Sequence, residues 1–234
     1  MSHKRLFWAV VPAAGVGRRM GGEIPKQYLR LNARRVIEHA MVPLLADSRI
    51  SRVLVALSED DGWWADTSFS NHPRVQRVNG GTERCHSVLN ALDALASIAA
   101  DDDWVLVHDA ARPCLQSSDL DKLITQLSGH PVGGLLALPL HDTVKRASSS
   151  RQVVETLPRE ALWRAFTPQM FRYSLLRTAL TAALDAGARV TDEASAVEFY
   201  GESPMLVEGA PDNIKITRPE DLALAAFYLS SRMG

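Results

Sequence analysis

Five short apolar runs, each bounded by polar residues, glycine or proline, constrain the fold of this chain more than any other feature of its sequence. The runs begin at Leu6, Arg52, Val75, Trp104 and Gly133, and they read LFWAVV, RVLVALS, VQRV, WVLVHD and GGLLALP. Their apolar residues are mostly consecutive and do not alternate with polar ones. This pattern predicts strands covered on both faces, as in a mostly parallel sheet.

Segments long enough to form helices separate these runs. The pattern predicts helices at about Val36–Ala46, Glu83–Ala99 and Ser118–Leu127, and the last of these opens with a Ser-x-x-Asp start signal. Strands that alternate with helices form right-handed βαβ units, which place helices on both faces of the sheet. We therefore predict an α/β, Rossmann-like fold in a single domain spanning residues 1–234.

The second half of the chain departs from this alternation. Residues 141–156 contain two polar, β-forming runs on either side of Ser148–Ser150, which is the pattern of an exposed hairpin. A hairpin with few large apolar residues is not stable alone. We therefore predict a protruding β-arm at about residues 139–159 that is held by a second subunit. Further helices are predicted at Tyr173–Ala186, at Asp192–Tyr200, and from a capping box at Thr217–Glu220 to about Ser230.

Charge and cysteine content exclude several classes of protein. Lys and Arg number 26 against 27 Asp and Glu, so the chain has no overall field that would hold nucleic acid or an anionic membrane. Cys85 and Cys114 lack the spacing of metal ligands and are too few for a disulfide framework. The apolar run Leu6–Val11 is too short for a signal peptide or a membrane span. We expect a cytoplasmic protein with free thiols.

The loop after the first predicted strand, Pro12–Met20, has the features of a phosphate-binding loop. Its small residues Ala13, Ala14 and Gly15 let backbone N–H groups approach an anion closely. Met20 stands where the dinucleotide fingerprint needs Gly or Ala, and the Gly-Lys-Ser/Thr ending of a P-loop is absent. The sequence thus disfavours a redox enzyme and a P-loop NTPase.

Cations follow these small residues. Arg18, Arg19 and Lys26 lie in a stretch whose one acid is Glu23. Clustered cations beside a glycine loop suit a triphosphate, because negative charge grows on the leaving group during transfer. The alternative interpretation is a surface turn with solvated cations.

A second candidate segment reads VHDAARP, at residues 107–113. Asp109 ends a predicted buried strand, and ligands of open α/β sheets bind beyond the carboxyl ends of strands. A carboxylate there suits Mg²⁺, which takes one or two protein oxygens beside a nucleotide's phosphates. Arg112 adds a cation, whereas His108 points to the opposite side and is predicted to pack in the core. Asp109 could alternatively cap a helix.

Two further segments complete the candidate site. In NGGTERCHS, at residues 79–87, Gly80 and Gly81 precede a helix whose N-terminal end favours a nucleotide. In DNIKITRPEDL, at residues 212–222, Lys215 is predicted on a short strand. Its side chain should point away from those of Ile214 and Ile216.

The ordered segments PAAGVGRRM, PKQY, GGTERCHSV, VHDAARP, DTVKR, TPQMF, TDEASA and DNIKITRPEDL closely resemble the 2-C-methyl-D-erythritol 4-phosphate cytidylyltransferase family of the non-mevalonate isoprenoid pathway. The likeness runs from about Val10 to Leu229. It implies a Rossmann-like nucleotidyltransferase fold, CTP and Mg²⁺ in the site, and a homodimer clasped by β-arms. It also implies the release of pyrophosphate as CDP-methylerythritol forms.

The resemblance also implies roles for individual residues. The residues implied to bind CTP are Pro12, Ala13, Ala14, Gly15, Gly81, Ser87 and Asp109, and those implied to act in catalysis are Arg19, Lys26 and Lys215. The residues implied to bind the polyol phosphate are Asp109, Arg112, Thr143, Arg159, Thr167 and Thr191, with Thr143 and Arg159 reaching it from the other subunit. Asp109 is also the implied metal ligand. Thr82 is expected to have at most a backbone role.

Three other functions remain as alternatives at this point. Ribitol-5-phosphate cytidylyltransferase shares the glycine loop and a similar Asp-containing segment, although VHDAARPC and TDEASA favour the methylerythritol enzyme. A nucleotide-binding regulator without turnover would give little reason for so many cations. An NAD-dependent oxidoreductase would need the fingerprint that is absent.

Overall fold

The centre of the molecule is a seven-stranded sheet in the computed structural model, which describes residues 5–15 and 24–232. In chain order the strands are β1 (Phe7–Pro12), β2 (Arg30–Leu31), β3 (Arg34–Arg35), β4 (Ile50–Leu57), β5 (Val75–Asn79), β6 (Trp104–Val107), β7 (Gly133–Pro139), β8 (Val144–Ala147), β9 (Val153–Leu157), β10 (Trp163–Arg172) and β11 (Met205–Glu208). The large sheet has the order β11-β7-β10-β6-β1-β4-β5. Because β10 alone runs antiparallel within it, the predicted mostly parallel sheet is confirmed.

Six α-helices lie in the described ranges. They are α1 (Val36–Ala46), α2 (Arg84–Ala94), α3 (Ser117–Leu127), α4 (Tyr173–Asp185), α5 (Glu193–Phe199) and α6 (Glu220–Ser231). None of these helices is both long enough and apolar enough to cross a membrane. All the predicted helices are present, and α2 ends five residues earlier than expected. The chain after Ala94 continues in tight turns, such as the bond from the N–H of Ala96 to the carbonyl of Asp93.

Helices pack on both faces of the sheet, as the sequence predicted. On β1, Ala9 and Val11 face a cluster that includes apolar residues of α1 and α3. The intervening Trp8 and Val10 face a second cluster, with residues of α2, α4 and α5. Since successive side chains of a strand point to opposite faces, one apolar run supplies both cores.

The N-terminal caps of α3 and α6 differ from the capping residues predicted from the sequence. The N-cap of α3 is Gln116, which makes no side-chain capping bond, and the expected capping acid Asp121 is paired with Arg49 instead. At the last helix, the acid that accepts bonds from the backbone and hydroxyl of Thr217 is Asp221, and Glu220 has no part in this cap. Both helices begin within three residues of the predicted position.

Two strands of the large sheet were not predicted from the sequence. β10 lies between β6 and β7 and pairs antiparallel with both, while β11 forms an edge beside β7. The predicted strand at Lys215 is wrong. Residues 213–217 pair with no neighbouring strand among the described residues. Separate bonds hold them instead, such as those from the N–H of Ile216 to the carbonyl of Ala111 and from the Asn213 side chain to the carbonyl of Thr167.

The predicted hairpin is present as a separate two-stranded sheet. β8 and β9 pair antiparallel, from Val144 opposite Leu157 to Ala147 opposite Val153. Most of its side chains are exposed, including Val153 at 64% and Val154 at 62%. We refer to residues 139–159 as the arm.

Candidate functional site

The carboxyl ends of the parallel strands open into a cavity of about 180 Å³. It is lined by Pro12, Ala13, Ala14, Gly15, Lys26, Gln27, Gly81, Thr82, Glu83, Arg84, Ser87, Asp109, Ala110, Ala111 and Lys215. We call this space the nucleotide cavity. All the predicted CTP-binding residues, together with Lys26 and Lys215, lie around it, whereas Arg19 falls outside the described residues.

Close packing explains the two glycines that follow β5. A Cβ on Gly80 would lie 2.4 Å from the Cβ of Ala14, and a Cβ on Gly81 would lie 2.4 Å from that of His86. A side chain at Gly80 would therefore push against the loop after β1, and one at Gly81 would push against the start of α2. The N–H of Gly81 donates to the Ser87 hydroxyl at 3.0 Å, so Ser87 holds this loop in place.

Lys26 and Lys215 approach the nucleotide cavity from different segments. The Nζ atom of Lys26 donates to the carbonyl of Ile216 at 2.9 Å, which ties the first loop to the segment that carries Lys215. Ile214 and Ile216 pack into a third apolar cluster beneath α6, while the Nζ atom of Lys215 lies 2.8 Å from Asp109. The predicted direction of the Lys215 side chain is thus correct, although its strand is not.

Asp109 is the carboxylate on which the cations converge. It is 6% exposed, and its Oδ1 atom accepts from the Nε atom of Arg84 at 2.9 Å. Its Oδ2 atom lies 2.8 Å from Lys215 and 3.5 Å from Arg112. Burial would raise the pKa of Asp109, but the charges of these three cations outweigh it and hold the pKa far below its usual range. No helix begins between Asp109 and Ser117 in the described chain, so the alternative role as a helix cap is excluded.

A second cavity, of about 170 Å³, adjoins the first. It is lined by Arg84, Asp109, Arg112, Ala165, Phe166, Thr167, Gln169, Thr191, Asp192 and Lys215. We call it the acceptor cavity, because Arg112, Thr167 and Thr191, predicted to bind the polyol phosphate, lie around it. Arg84, Asp109 and Lys215 line both cavities, and we call these three residues the shared wall.

His108 lies buried behind the shared wall, as predicted. Its Nε2 atom faces the carbonyl of Arg112 at 3.1 Å and must donate to it, so its Nδ1 atom accepts from the Thr167 hydroxyl at 2.9 Å. The same hydroxyl accepts from the N–H of Asp109. Burial lowers the pKa of His108 to about 4, which keeps the ring neutral.

Arg84 and Glu193 also belong to the site, although the sequence did not predict a role for either residue. Glu193 begins α5 with an exposed fraction of 0%, and its two oxygens accept from the terminal nitrogens of Arg84 at 2.6 and 2.9 Å. The segments GGTERCHSV and TDEASA both appeared in the sequence analysis, but nothing local indicates that an acid in one meets an arginine in the other. The sequence offered one signal: Arg84 lies in the first of these segments and the oppositely charged Glu193 lies in the second.

Thr143 and Arg159 lie on the arm, and both are exposed. Neither lines the nucleotide cavity or the acceptor cavity among the described residues. The guanidinium of Arg159 donates to the backbone carbonyl of His141, within the arm itself. The structure of one chain therefore leaves these two predicted residues apart from the rest of the site.

A trio of potential metal ligands lies at the start of α2. Ligand atoms of Glu83, Cys85 and His86 are within 4.8 Å of one another. A thiol and an imidazole suit softer ions than Mg²⁺, which prefers oxygen. The positive end of a helix also disfavours a cation. Asp109, whose carboxylate is ionised and reaches both cavities, fits Mg²⁺ better.

Known proteins of one family are similar to this chain over most of its length. Residues 7–231 match the family model described as 2-C-methyl-D-erythritol 4-phosphate cytidylyltransferase. The protein of that name from Pseudomonas syringae pv. tomato is 55% identical over 217 residues, covering 92% of each chain. The one from Vibrio vulnificus strain CMCP6 is 52% identical over 222 residues, covering 95% of this chain and 94% of its own.

Solved structures agree with the sequence comparisons. A crystal structure of a 4-diphosphocytidyl-2C-methyl-D-erythritol synthase superposes with a TM-score of 0.84 at 37% identity, over 97% of this chain and 100% of the other. The 2-C-methyl-D-erythritol 4-phosphate cytidylyltransferase of Francisella tularensis gives 0.83 at 36% identity, over 95% and 99%. The predicted nucleotidyltransferase fold is therefore confirmed. This chain belongs to the 2-C-methyl-D-erythritol 4-phosphate cytidylyltransferase family.

Proposed function

We propose that this chain transfers the cytidylyl group of CTP to 2-C-methyl-D-erythritol 4-phosphate, forming CDP-methylerythritol and pyrophosphate in isoprenoid precursor biosynthesis. Its family and the names of its relatives support this reaction. The observation that carries the assignment of the site is the shared wall of Arg84, Asp109 and Lys215, which borders both cavities. Two substrates in adjoining cavities would meet at that wall.

CTP occupies the nucleotide cavity in this proposal. Backbone groups of residues 12–15 receive its phosphates, and Gly81, held by Ser87, lies beside the base. The acceptor cavity takes the polyol phosphate, with Arg112 and Thr191 near its phosphate group. Thr167 supports this arrangement from behind, since its hydroxyl is already bonded to His108 and to the backbone of Asp109.

The chemistry needs no general base from the protein. A phosphate monoester has a second pKa of about 6, so the acceptor is largely ionised at neutral pH. One of its oxygens attacks the α-phosphorus of CTP, and the bond from that phosphorus to the bridging oxygen breaks. Pyrophosphate leaves with the electron pair of that bond. The site must hold two polyanions in line and stabilise the growing charge, which we assign to Lys26, Lys215 and Arg19.

We propose that Mg²⁺ takes part, held by Asp109 and by the phosphates of CTP. When bound, it would neutralise charge on the triphosphate. Arg84, Arg112 and Lys215 already surround the Asp109 carboxylate, so one carboxylate has little affinity left for a free cation. Mg²⁺ would thus enter together with the nucleotide, which supplies the remaining oxygens.

We also propose a cytoplasmic homodimer. The arm of one subunit would bring Thr143 and Arg159 to the acceptor cavity of the other, which accounts for their distance from the site in one chain. The exposed Val153 and Val154 support a partner on this arm, because exposed apolar side chains gain from burial. The two cysteines, buried and unpaired, are consistent with a reducing compartment.

Pyrophosphate release tests the proposed reaction. The protein is supplied with CTP and either 2-C-methyl-D-erythritol 4-phosphate or ribitol 5-phosphate, each with Mg²⁺ or with excess EDTA. We expect pyrophosphate release only when CTP, 2-C-methyl-D-erythritol 4-phosphate and Mg²⁺ are all present. Faster release with ribitol 5-phosphate would establish the alternative enzyme, and tight CTP binding without release from either acceptor would indicate a regulator.

A further inference from the structure

Glu193 is a carboxylate that neither solvent nor substrate reaches, since its exposed fraction is 0%. Its position is fixed from the helix end: Asp192 caps α5, and the Gln169 side chain accepts from the N–H of Ala194. A buried carboxylate is costly unless it is fully paired. Its two bonds to Arg84 meet that need.

Arg84 divides its donors between two carboxylates. Its terminal nitrogens bind Glu193, and its Nε atom donates to the Oδ1 atom of Asp109. The N–H groups of a guanidinium point in fixed directions within one plane. The place of Glu193 therefore determines where the Nε–H group of Arg84 points, and with it the position of Asp109.

Lys215, on the other oxygen of Asp109, can serve a different purpose. The Lys215 side chain is 38% exposed, so its ammonium can exchange Asp109 for an arriving phosphate. Arg84 cannot release Glu193 for a phosphate without leaving that buried acid without its two bonds. The negative charge of Glu193 also offsets the positive charge of Arg84, which reduces its attraction for phosphate.

We infer that Glu193 and Arg84 are positioning residues for the reaction proposed above, on which this inference rests. Glu193 holds Arg84, and Arg84 holds the Asp109 carboxylate at the boundary between CTP and the acceptor. Because the charge of Glu193 neutralises that of Arg84, the cations that receive phosphate groups are Lys26, Lys215 and Arg112.

Glu193→Gln tests this inference. The amide has nearly the same size, but its NH₂ group meets a donor of Arg84, so one bond and the neutralising charge are both lost. We expect kcat to fall about a hundredfold, the effect of moving a reacting group by about 1 Å. We also expect pyrophosphate to bind about threefold more tightly or better, because the charge of Arg84 becomes available to an anion. Calorimetry with inorganic pyrophosphate measures this second effect without turnover.

Glu198→Gln is the matched control, because Glu198 lies on the same helix and is exposed. It should leave kcat and pyrophosphate affinity within about twofold of wild type. Arg84→Lys should lose activity as Glu193→Gln does, since one ammonium cannot bridge two carboxylates in a fixed plane. The double variant Arg84→Gln/Glu193→Gln should have the same kcat as Arg84→Gln alone, because the two residues act as one unit.

Two results would overturn the inference. One is a Glu193→Gln protein with wild-type kcat and pyrophosphate affinity. The other is a loss of kcat explained wholly by a smaller folded fraction, with the affinity of the folded protein for pyrophosphate unchanged. If the wild-type protein fails to convert CTP and methylerythritol phosphate, the proposed function is wrong. The pyrophosphate titration of Glu193→Gln still tests the pairing of Glu193 with Arg84. Tighter binding than in wild type supports the inference, and unchanged binding overturns it.

Discussion

The end of β6 and the arm both carry candidate site residues, but they hold them in opposite ways. Asp109, after β6, is 6% exposed and is paired with Arg84, Arg112 and Lys215 from three parts of the chain. Arg159, on the arm, is exposed and donates to a carbonyl of the same arm. Long-range contacts within one chain thus fix the first region. In the homodimer proposed above, the second region finds its target in another subunit.

The largest expected effect concerns two cations that line the nucleotide cavity. Lys26→Ala or Lys215→Ala should lower kcat about a hundredfold or more, because each removes a charge that stabilises the leaving pyrophosphate or the attacking phosphate. Loss of Lys215 leaves Asp109 paired with Arg84 and Arg112, so the melting temperature should change little. Steady-state kinetics and thermal unfolding measure the two quantities.

Lys122→Ala is the control for this pair. Lys122 is exposed on α3 and donates to the carbonyl of Glu208, away from both cavities. Its kcat should match that of wild type. Near-normal turnover in Lys26→Ala or Lys215→Ala would remove that residue from the catalytic set and weaken the contrast between the wall and the arm.

A smaller effect should appear in the free energy of unfolding, through His108 behind the shared wall. The folded pKa of His108, about 4, lies below its ordinary value of 6.5, mainly because the ring is buried. The unfolded chain therefore binds a proton first as pH falls, and the folded state loses stability below pH 6.5. The free energy of unfolding should fall by about 2 kcal/mol from this group between pH 7 and pH 5.

Urea unfolding of wild type and His108→Gln at several pH values measures this contribution. Glutamine keeps a donor for the carbonyl of Arg112 but does not titrate, so the variant should show a flatter dependence over this range. Equal slopes for the two proteins would mean that the ring charges in the folded state without penalty. The wall would then be less rigid than its hydrogen bonds indicate.

The smallest expected signal comes from the arm. Arg159→Ala and Lys26→Ala proteins, each inactive alone, should recover activity when mixed if one site uses the arm of the other subunit. Random pairing of subunits gives one intact site in half of the dimers, or about a quarter of wild-type activity. Arg146→Ala is the control on the arm, since Arg146 pairs with Glu155 on the exposed hairpin. Verified mixed dimers without recovery would show that each site is self-contained.

The sequence alone determined the elements whose signal is local. Continuous apolar runs predicted β1, β4, β5, β6 and β7, and polar β-forming runs around three serines predicted the arm. The small residues at 13–15 and the glycine at 81 marked the nucleotide cavity, because small residues let the backbone approach a ligand closely. The strand and hairpin patterns depend on neighbours within a few positions, so the sequence contains them.

Tertiary structure alone decided how those elements meet. β10 has no continuous apolar run, yet it lies antiparallel between β6 and β7, where it brings Thr167 beneath Asp109. Arg84 and Glu193 are 109 positions apart, and an acid so distant gives no local sign of its partner. Whether a charge is buried, paired or open to substrate depends on which distant segments fold beside it. That dependence is why the sequence pointed to the site but not to the pair that holds it.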